Sequence, residues 1–263
     1  MQHVTSKDGT IIAYEQSGQG PALVIVGCVL DDHTQQAGLA HLLSEHFTVY
    51  NFDRRGHGES GDHPPYAVER EVEDIAAILD AAGGSAFVYG TSGSGILTME
   101  AAARGLAPNM KKLAVWEPPY IVDDSRPPVP QDYMQQMRQM LQEGRRGDMI
   151  KYFFSKGISM PAEFVEMLPQ FPGWATQEAL AHTLIYSGIL MGDDNFMQLP
   201  KERLAKATPE TLVIDGGTWP WISHASDAVA ATLPNAGRYT IAGQPHNVAD
   251  EAMAPVLVEF FQS

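Results

Sequence analysis

The sequence predicts an α/β fold, a mostly parallel sheet flanked by helices, with a helical insert after the strand ending near Trp116. Three observations carry this. Short apolar runs rich in β-branched and aromatic residues alternate with helical periodicity over most of the chain. One such run, Phe87-Val88-Tyr89-Gly90, passes into a helical pattern through Thr91, Ser92, Gly93 and Ser94. The alternation then stops between about residues 121 and 207, where only amphipathic helices read.

In chain order, residues 2–17 read as a hairpin around Asp8-Gly9, a strong turn signal. Residues 21–26 are continuously apolar, as suits a strand covered on both faces. A helix follows, with Leu39, Leu42 and Leu43 on one side. Residues 47–52 are the next strand, ending in the charged turn Asp53-Arg54-Arg55-Gly56-His57-Gly58-Glu59-Ser60. Residues 67–82 are helical, with Val68, Val72, Ile75, Ile78 and Leu79 in register. After the run ending at Gly90 and its helix, residues 112–116 form a strand that Pro118 and Pro119 terminate. The insert holds helices near 131–144, 147–156, 161–169 and 175–190. Eight of the chain's twelve methionines fall there, an adaptable apolar surface or ordinary helical core. Alternation resumes with a strand at 211–215, a helix near 222–233, a strand at 238–241 and a closing helix to Phe261.

Composition narrows the function classes. With 44% hydrophobic and 19% charged residues, the chain reads as globular. A net charge of −15 argues against nucleic acid or an anionic membrane surface as partner. The single cysteine, Cys28, excludes an internal disulfide framework and a cysteine-rich metal site. The N-terminal residues lack the apolar core of a signal peptide, and no run approaches the roughly 18 apolar residues of a membrane span. A soluble, cytoplasmic protein is expected, with no metal and no cofactor. Oligomeric state is not encoded in any readable pattern.

The turn at Ser92 bears the chemistry. A strand that folds back this sharply into a helix strains the residue at the corner, and only small neighbours leave room for it. The strain lifts the hydroxyl above the sheet, over the N-terminus of the new helix. A plain Gly/Ser turn or a phosphate-binding turn has similar residues, but no lysine follows as a P-loop requires.

With the Gly27 turn, the Asp53–Ser60 motif, the Gly90–Ser94 elbow and a late His246 in that order, the chain resembles the α/β-hydrolase family over nearly its whole length. The resemblance implies an α/β-hydrolase core of residues 1–120 and 208–263, with residues 121–207 as its helical cap. It implies Ser92 as nucleophile and His246 as base, because histidine is best matched to take a serine proton near neutral pH. A carboxylate must hold the histidine's tautomer. The usual family position, after the strand ending at Ile214, falls on Trp219, which cannot serve. Glu117, directly after the strand ending at Trp116, is favoured over Asp215, with Asp124 third. Gly93, and Val29 in the turn Gly27-Cys28-Val29, are the expected oxyanion donors. Cys28 reads as a small packed residue. His33, His57, His63, His182 and His224 read as surface or local hydrogen-bonding residues, with His33 kept as a weak substrate contact. Trp219 and Trp221, with the Met- and Phe-bearing cap helices, suggest a pocket for a small apolar substrate. The implied activity is a serine hydrolase for an ester, thioester or lactone. Carbon–carbon bond hydrolysis, perhydrolysis and lyase chemistry use the same triad in related families, and a non-catalytic small-ligand-binding protein is the reading from another class.

Overall fold

A computed structural model describes residues 1–263. Eight strands form one sheet: β1 (Gln2–Thr5), β2 (Ile11–Ser17), β3 (Ala22–Val26), β4 (Thr48–Phe52), β5 (Ala86–Thr91), β6 (Met110–Trp116), β7 (Glu210–Asp215) and β8 (Ala236–Thr240). Their spatial order is β1-β2-β4-β3-β5-β6-β7-β8. The pairings of β2 with β1 and β4 are antiparallel, and all the others are parallel. The central strands are buried along most of their length because helices cover both faces. One face packs on α1 (Ala37–Leu43) and the C-terminal helix through Leu39, Leu43, Phe47, Trp116, Met253 and Leu257. The other packs on α2 (Val68–Ala81), α3 (Gly93–Ala101) and the helix after β7 through Ile75, Ile78, Leu97, Val115, Ile222 and Val229.

Between β6 and β7 no strand joins the sheet. Six helices lie there: α4 (Tyr133–Gln142), α5 (Arg146–Tyr152), α6 (Ala162–Met167), α7 (Trp174–Leu180), α8 (Thr183–Leu190) and α9 (Lys201–Leu204). Met134, Met137, Met140 and Met149 are buried in its own small core with Tyr133, Phe153 and Leu184. The single helix expected over 175–190 is two helices. Arg146 donates to the carbonyls of Glu178 and Ala179, and Thr183 Oγ1 donates to Leu180 O, so these carbonyls are satisfied by side chains and the ladder breaks at Ala181-His182. Two further helices complete the chain, α10 (Pro220–Thr232) and α11 (Asp250–Gln262).

Register decides which residues meet at the C-terminal edge of the sheet. Phe52, Val26, Gly90, Val115 and Val213 lie side by side on five adjacent strands. Two residues further along the chain, at or just past the strand ends, stand Arg54, Cys28, Ser92, Glu117 and Asp215.

The Asp53–Ser60 motif is structural. The Asp53 carboxylate accepts the N–H groups of His33 and Glu59 at 2.7 and 2.8 Å, and a Cβ on Gly58 would fall 2.2 Å from it. Arg55 is fully buried and donates to Asp74, Asp8 and the Arg70 carbonyl. Arg54 donates through Nε and Nη2 to both oxygens of Glu71, at 2.7 and 2.9 Å, with both residues buried. His57 is buried, not at the surface, and its Nδ1–H donates to the Arg55 carbonyl. Burial, then the charge of Arg54, pushes its imidazole down to about 4.

Removing one member of the Arg54–Glu71 pair strands a buried charge. Glu71→Gln is expected to lower the unfolding free energy by about 3–5 kcal/mol, read as a shift in the urea midpoint at unchanged slope. A loss within experimental error would mean that Arg54 does not depend on Glu71.

Candidate active site

The elbow is built as the spacing predicts. Ser92 has φ 54° and ψ −124° and immediately precedes α3. For a residue with a Cβ, that region costs on the order of 1–3 kcal/mol and persists only where the surroundings impose it. Here they do. A Cβ on Gly90 would lie 2.8 Å from Ser94 O and 3.0 Å from Gly95 Cα, so the strand can approach the helix only through glycine. Ser94 is fully buried, with Oγ 2.7 Å from Val26 O and 2.8 Å from Thr91 O, and it accepts the Thr91 N–H. Its hydroxyl fastens the elbow to β3, which a glycine there would not do.

His246 lies in the loop between β8 and α11. Its Nδ1–H donates to Glu117 Oε2 at 2.5 Å, and its carbonyl accepts the Trp116 indole N–H at 2.8 Å. The other Glu117 oxygen accepts the Gly216 N–H at 3.0 Å. Glu117 is 1% exposed and has φ 45°, a turn imposed where its own N–H bonds Ile214 O. Ser92 joins the same cluster through its N–H, which donates to Trp116 O at 2.7 Å. With Nδ1–H committed to a carboxylate, the neutral ring carries its lone pair on Nε2, the arrangement a general base needs.

The other carboxylates are elsewhere. Asp215 bonds Arg238, Ser223 and Thr240 and makes no contact with His246. Burial opposes its ionisation, but the hydrogen bonds from Arg238, Ser223 and Thr240 outweigh that and hold it below the ordinary carboxylate range. Asp124 is exposed at the start of the insert.

Of the expected oxyanion donors, Gly93 opens α3, so its N–H has no acceptor within the helix. Val29 lies in the turn after β3, next to Leu30 at φ 62°, and packs against the core of the insert. Cys28 is a thiol, because burial, with the Asp31 charge adding to it, pushes its ionisation up. His33 is held by carboxylates: its Nδ1 bonds Asp53 and its Nε2 faces Glu15 at 3.9 Å. His224 pairs with Asp123, and His182 bonds the Ala179 carbonyl.

Trp219 is brought to the histidine. Its ring lies 5.8 Å from that of His246, with 3° between planes, and Trp221 stacks beside it at 6.2 Å. Both tryptophans line a cavity of about 290 Å³ with Arg126 and Ile158 of the insert. A larger cavity, about 860 Å³, lies instead between the insert and α10, among Ile121, Asp123, Phe196 and His224. Ser92 itself is 6% exposed. Met191, just after α8, closes over the elbow, where a Cβ on Gly93 would meet its methyl at 2.8 Å. Sequence reasoning missed Met191, Gly216 and the Trp116 indole. Only the crowding of methionines in the insert hinted at the first.

Residues 29–249 match the model of the alpha/beta hydrolase family. The chain belongs to that family. Among solved structures, this alpha/beta hydrolase is 52% identical to an alpha/beta hydrolase from Sphaerobacter thermophilus DSM 20745, covering 99% of this chain and 100% of that one, with a TM-score of 0.93. The fold is shared at 20% identity with a thermophilic esterase from Thermogutta terrifontis (99% and 97% covered, TM-score 0.74). It is shared, also at 20%, with the enol-lactonase from Burkholderia xenovorans LB400 (100% of both chains, TM-score 0.73). No helix of this hydrolase is long and apolar enough to cross a membrane.

If Asp215 is a structural ion-pair residue, Asp215→Asn should cost about 1–3 kcal/mol at pH 7. A depressed carboxylate stabilises the fold above its unfolded value near 3.9. That contribution is lost as pH falls through the lower folded value. The gap between wild type and variant in urea denaturation should therefore close as the solution is acidified below pH 4. A gap that stays constant with pH would refute this ion-pair role.

Proposed function

We propose that this protein is a serine hydrolase that cleaves an ester, thioester or lactone of a small apolar molecule through an acyl-enzyme on Ser92. The observation that carries the reading is the 2.5 Å hydrogen bond from His246 Nδ1 to the buried carboxylate of Glu117. It supplies the carboxylate partner in the place where Trp219 left the usual position without one.

In this reading His246 Nε2 takes the Ser92 hydroxyl proton as Oγ attacks the substrate carbonyl carbon. Glu117 holds the ring and stabilises the imidazolium. The N–H groups of Gly93 and Val29 receive the oxyanion, each worth about 10²–10³ in rate. His246 then passes its proton to the leaving alcohol, thiol or enol oxygen, and the bond from carbonyl carbon to leaving group breaks. Water, deprotonated by the same nitrogen, releases the acid and restores Ser92. Residues 121–207 act as a cap over this chemistry. Met191 above the elbow and the stacked tryptophans beside the histidine favour an apolar substrate body.

The test is turnover of p-nitrophenyl acetate and butyrate by folded variants. Ser92→Ala should remove activity and covalent labelling by a serine-reactive phosphonate. Glu117→Gln should lower kcat by about 10⁴, the scale for losing a triad carboxylate, while Asp215→Asn retains activity per folded molecule. Labelling that survives in Ser92→Ala would overturn the nucleophile. Collapse of Asp215→Asn with Glu117→Gln unaffected would move the acid.

A further inference from the structure

Trp219 occupies the position where the chain lacks a carboxylate, and its geometry assigns it another task. His246 is one-third exposed, and its ring is held by a single hydrogen bond from Nδ1. One such bond leaves the imidazole free to tilt about it, because χ2 of histidine is a broad torsion. The Trp219 ring, stacked in offset with its plane 3° from parallel to the imidazole, opposes that tilt. Trp219 is in turn fixed from both directions. Its backbone immediately precedes Pro220 at the first position of α10, whose φ is preset for the helix. Its ring stacks with Trp221, over which the Arg126 guanidinium lies at 4.8 Å. Arg126 is 7% exposed and donates to the carbonyls of Gly157, Lys156 and Pro127, all in the insert.

We propose that Trp219 is a positioning residue for His246, braced through Trp221 by Arg126 of the helical insert. The ladder Arg126–Trp221–Trp219–His246 runs from the insert to the histidine through successive separations of 4.8, 6.2 and 5.8 Å. It holds the imidazole in the plane in which Nδ1 meets Glu117. The kinetic part of this inference rests on the reading of His246 as the base.

Two measurements test it, on full-length protein checked by circular dichroism. The first is ester turnover. Trp219→Ala should lower kcat by about 10- to 100-fold, the cost of a slightly misplaced catalytic group, over and above any rise in KM from the lost apolar wall. Trp219→Phe, which keeps a flat ring, should recover most of the loss. Arg126→Gln should lower kcat less, and should add nothing in the Trp219→Ala background, because its effect passes through Trp219. Unchanged kcat in Trp219→Ala, or a loss confined to KM, overturns the positioning role. Additive losses overturn the brace.

The second is intrinsic fluorescence against pH, which needs no substrate. An imidazolium in face contact with an indole quenches its emission. Wild type should lose emission in a step on acidification, and the step should vanish in both Trp219→Phe and His246→Asn. A step that persists in Trp219→Phe removes the contact and the proposal with it. If wild type hydrolyses no ester, the hydrolase reading fails, and this titration still decides whether Trp219 holds His246.

Discussion

The Glu117 carboxylate is the joint on which the site depends. Its two oxygens take hydrogens from different segments, the Gly216 N–H after β7 and the His246 ring after β8. Its backbone N–H is bonded to β7 as well, at Ile214 O. A carboxyl group this deeply buried is tolerable only when such donors replace water. The same requirement ties three chain segments together. The close approach of Gly216 to the histidine loop belongs to this joint, since a Cβ there would sit 1.9 Å from Gln244 O.

Placing the carboxylate after β6 has consequences along the neighbouring strand. Asp215 is released to a hydrogen-bonded cluster with Arg238, Ser223 and Thr240, which anchors β8 and α10 to β7. The loop position beyond it is open to a tryptophan, and Trp219 lays its ring on the histidine. The site therefore has an aromatic wall where a charged group would otherwise stand. On the β3 and β4 side of Ser92, Cys28 and Arg54 follow the strand ends, with Arg54 neutralised by Glu71. The insert reaches this region through Met191 at the elbow and Arg126 on Trp221.

Most of the fold was legible because its signals are local. Continuous apolar runs mark strands covered on both faces, periodic ones mark helices, and Asp8-Gly9 marks the hairpin turn. The elbow was legible because a strand-to-helix turn around one strained residue demands small neighbours at fixed offsets, and Gly90, Ser92 and Ser94 meet that demand. The break inside 175–190 was not. Nothing in the local pattern of Ala181-His182 says stop; the reason is Arg146, more than thirty residues earlier, taking carbonyls the helix would have used.

By itself, then, the sequence determined the alternation of strands and helices, the interruption after Trp116, the strained serine and a histidine in the last loop, all properties of short stretches. It favoured Glu117 as the acid over Asp215, with Asp124 third, without fixing which of them meets the histidine. Only the tertiary structure decided which carboxylate meets His246, which histidines turn inward and what Trp219 touches. Those are relations between strand ends brought side by side by parallel register and the packing of a distant insert. They depend on distances of a few ångströms between residues more than a hundred positions apart, such as Glu117 and His246.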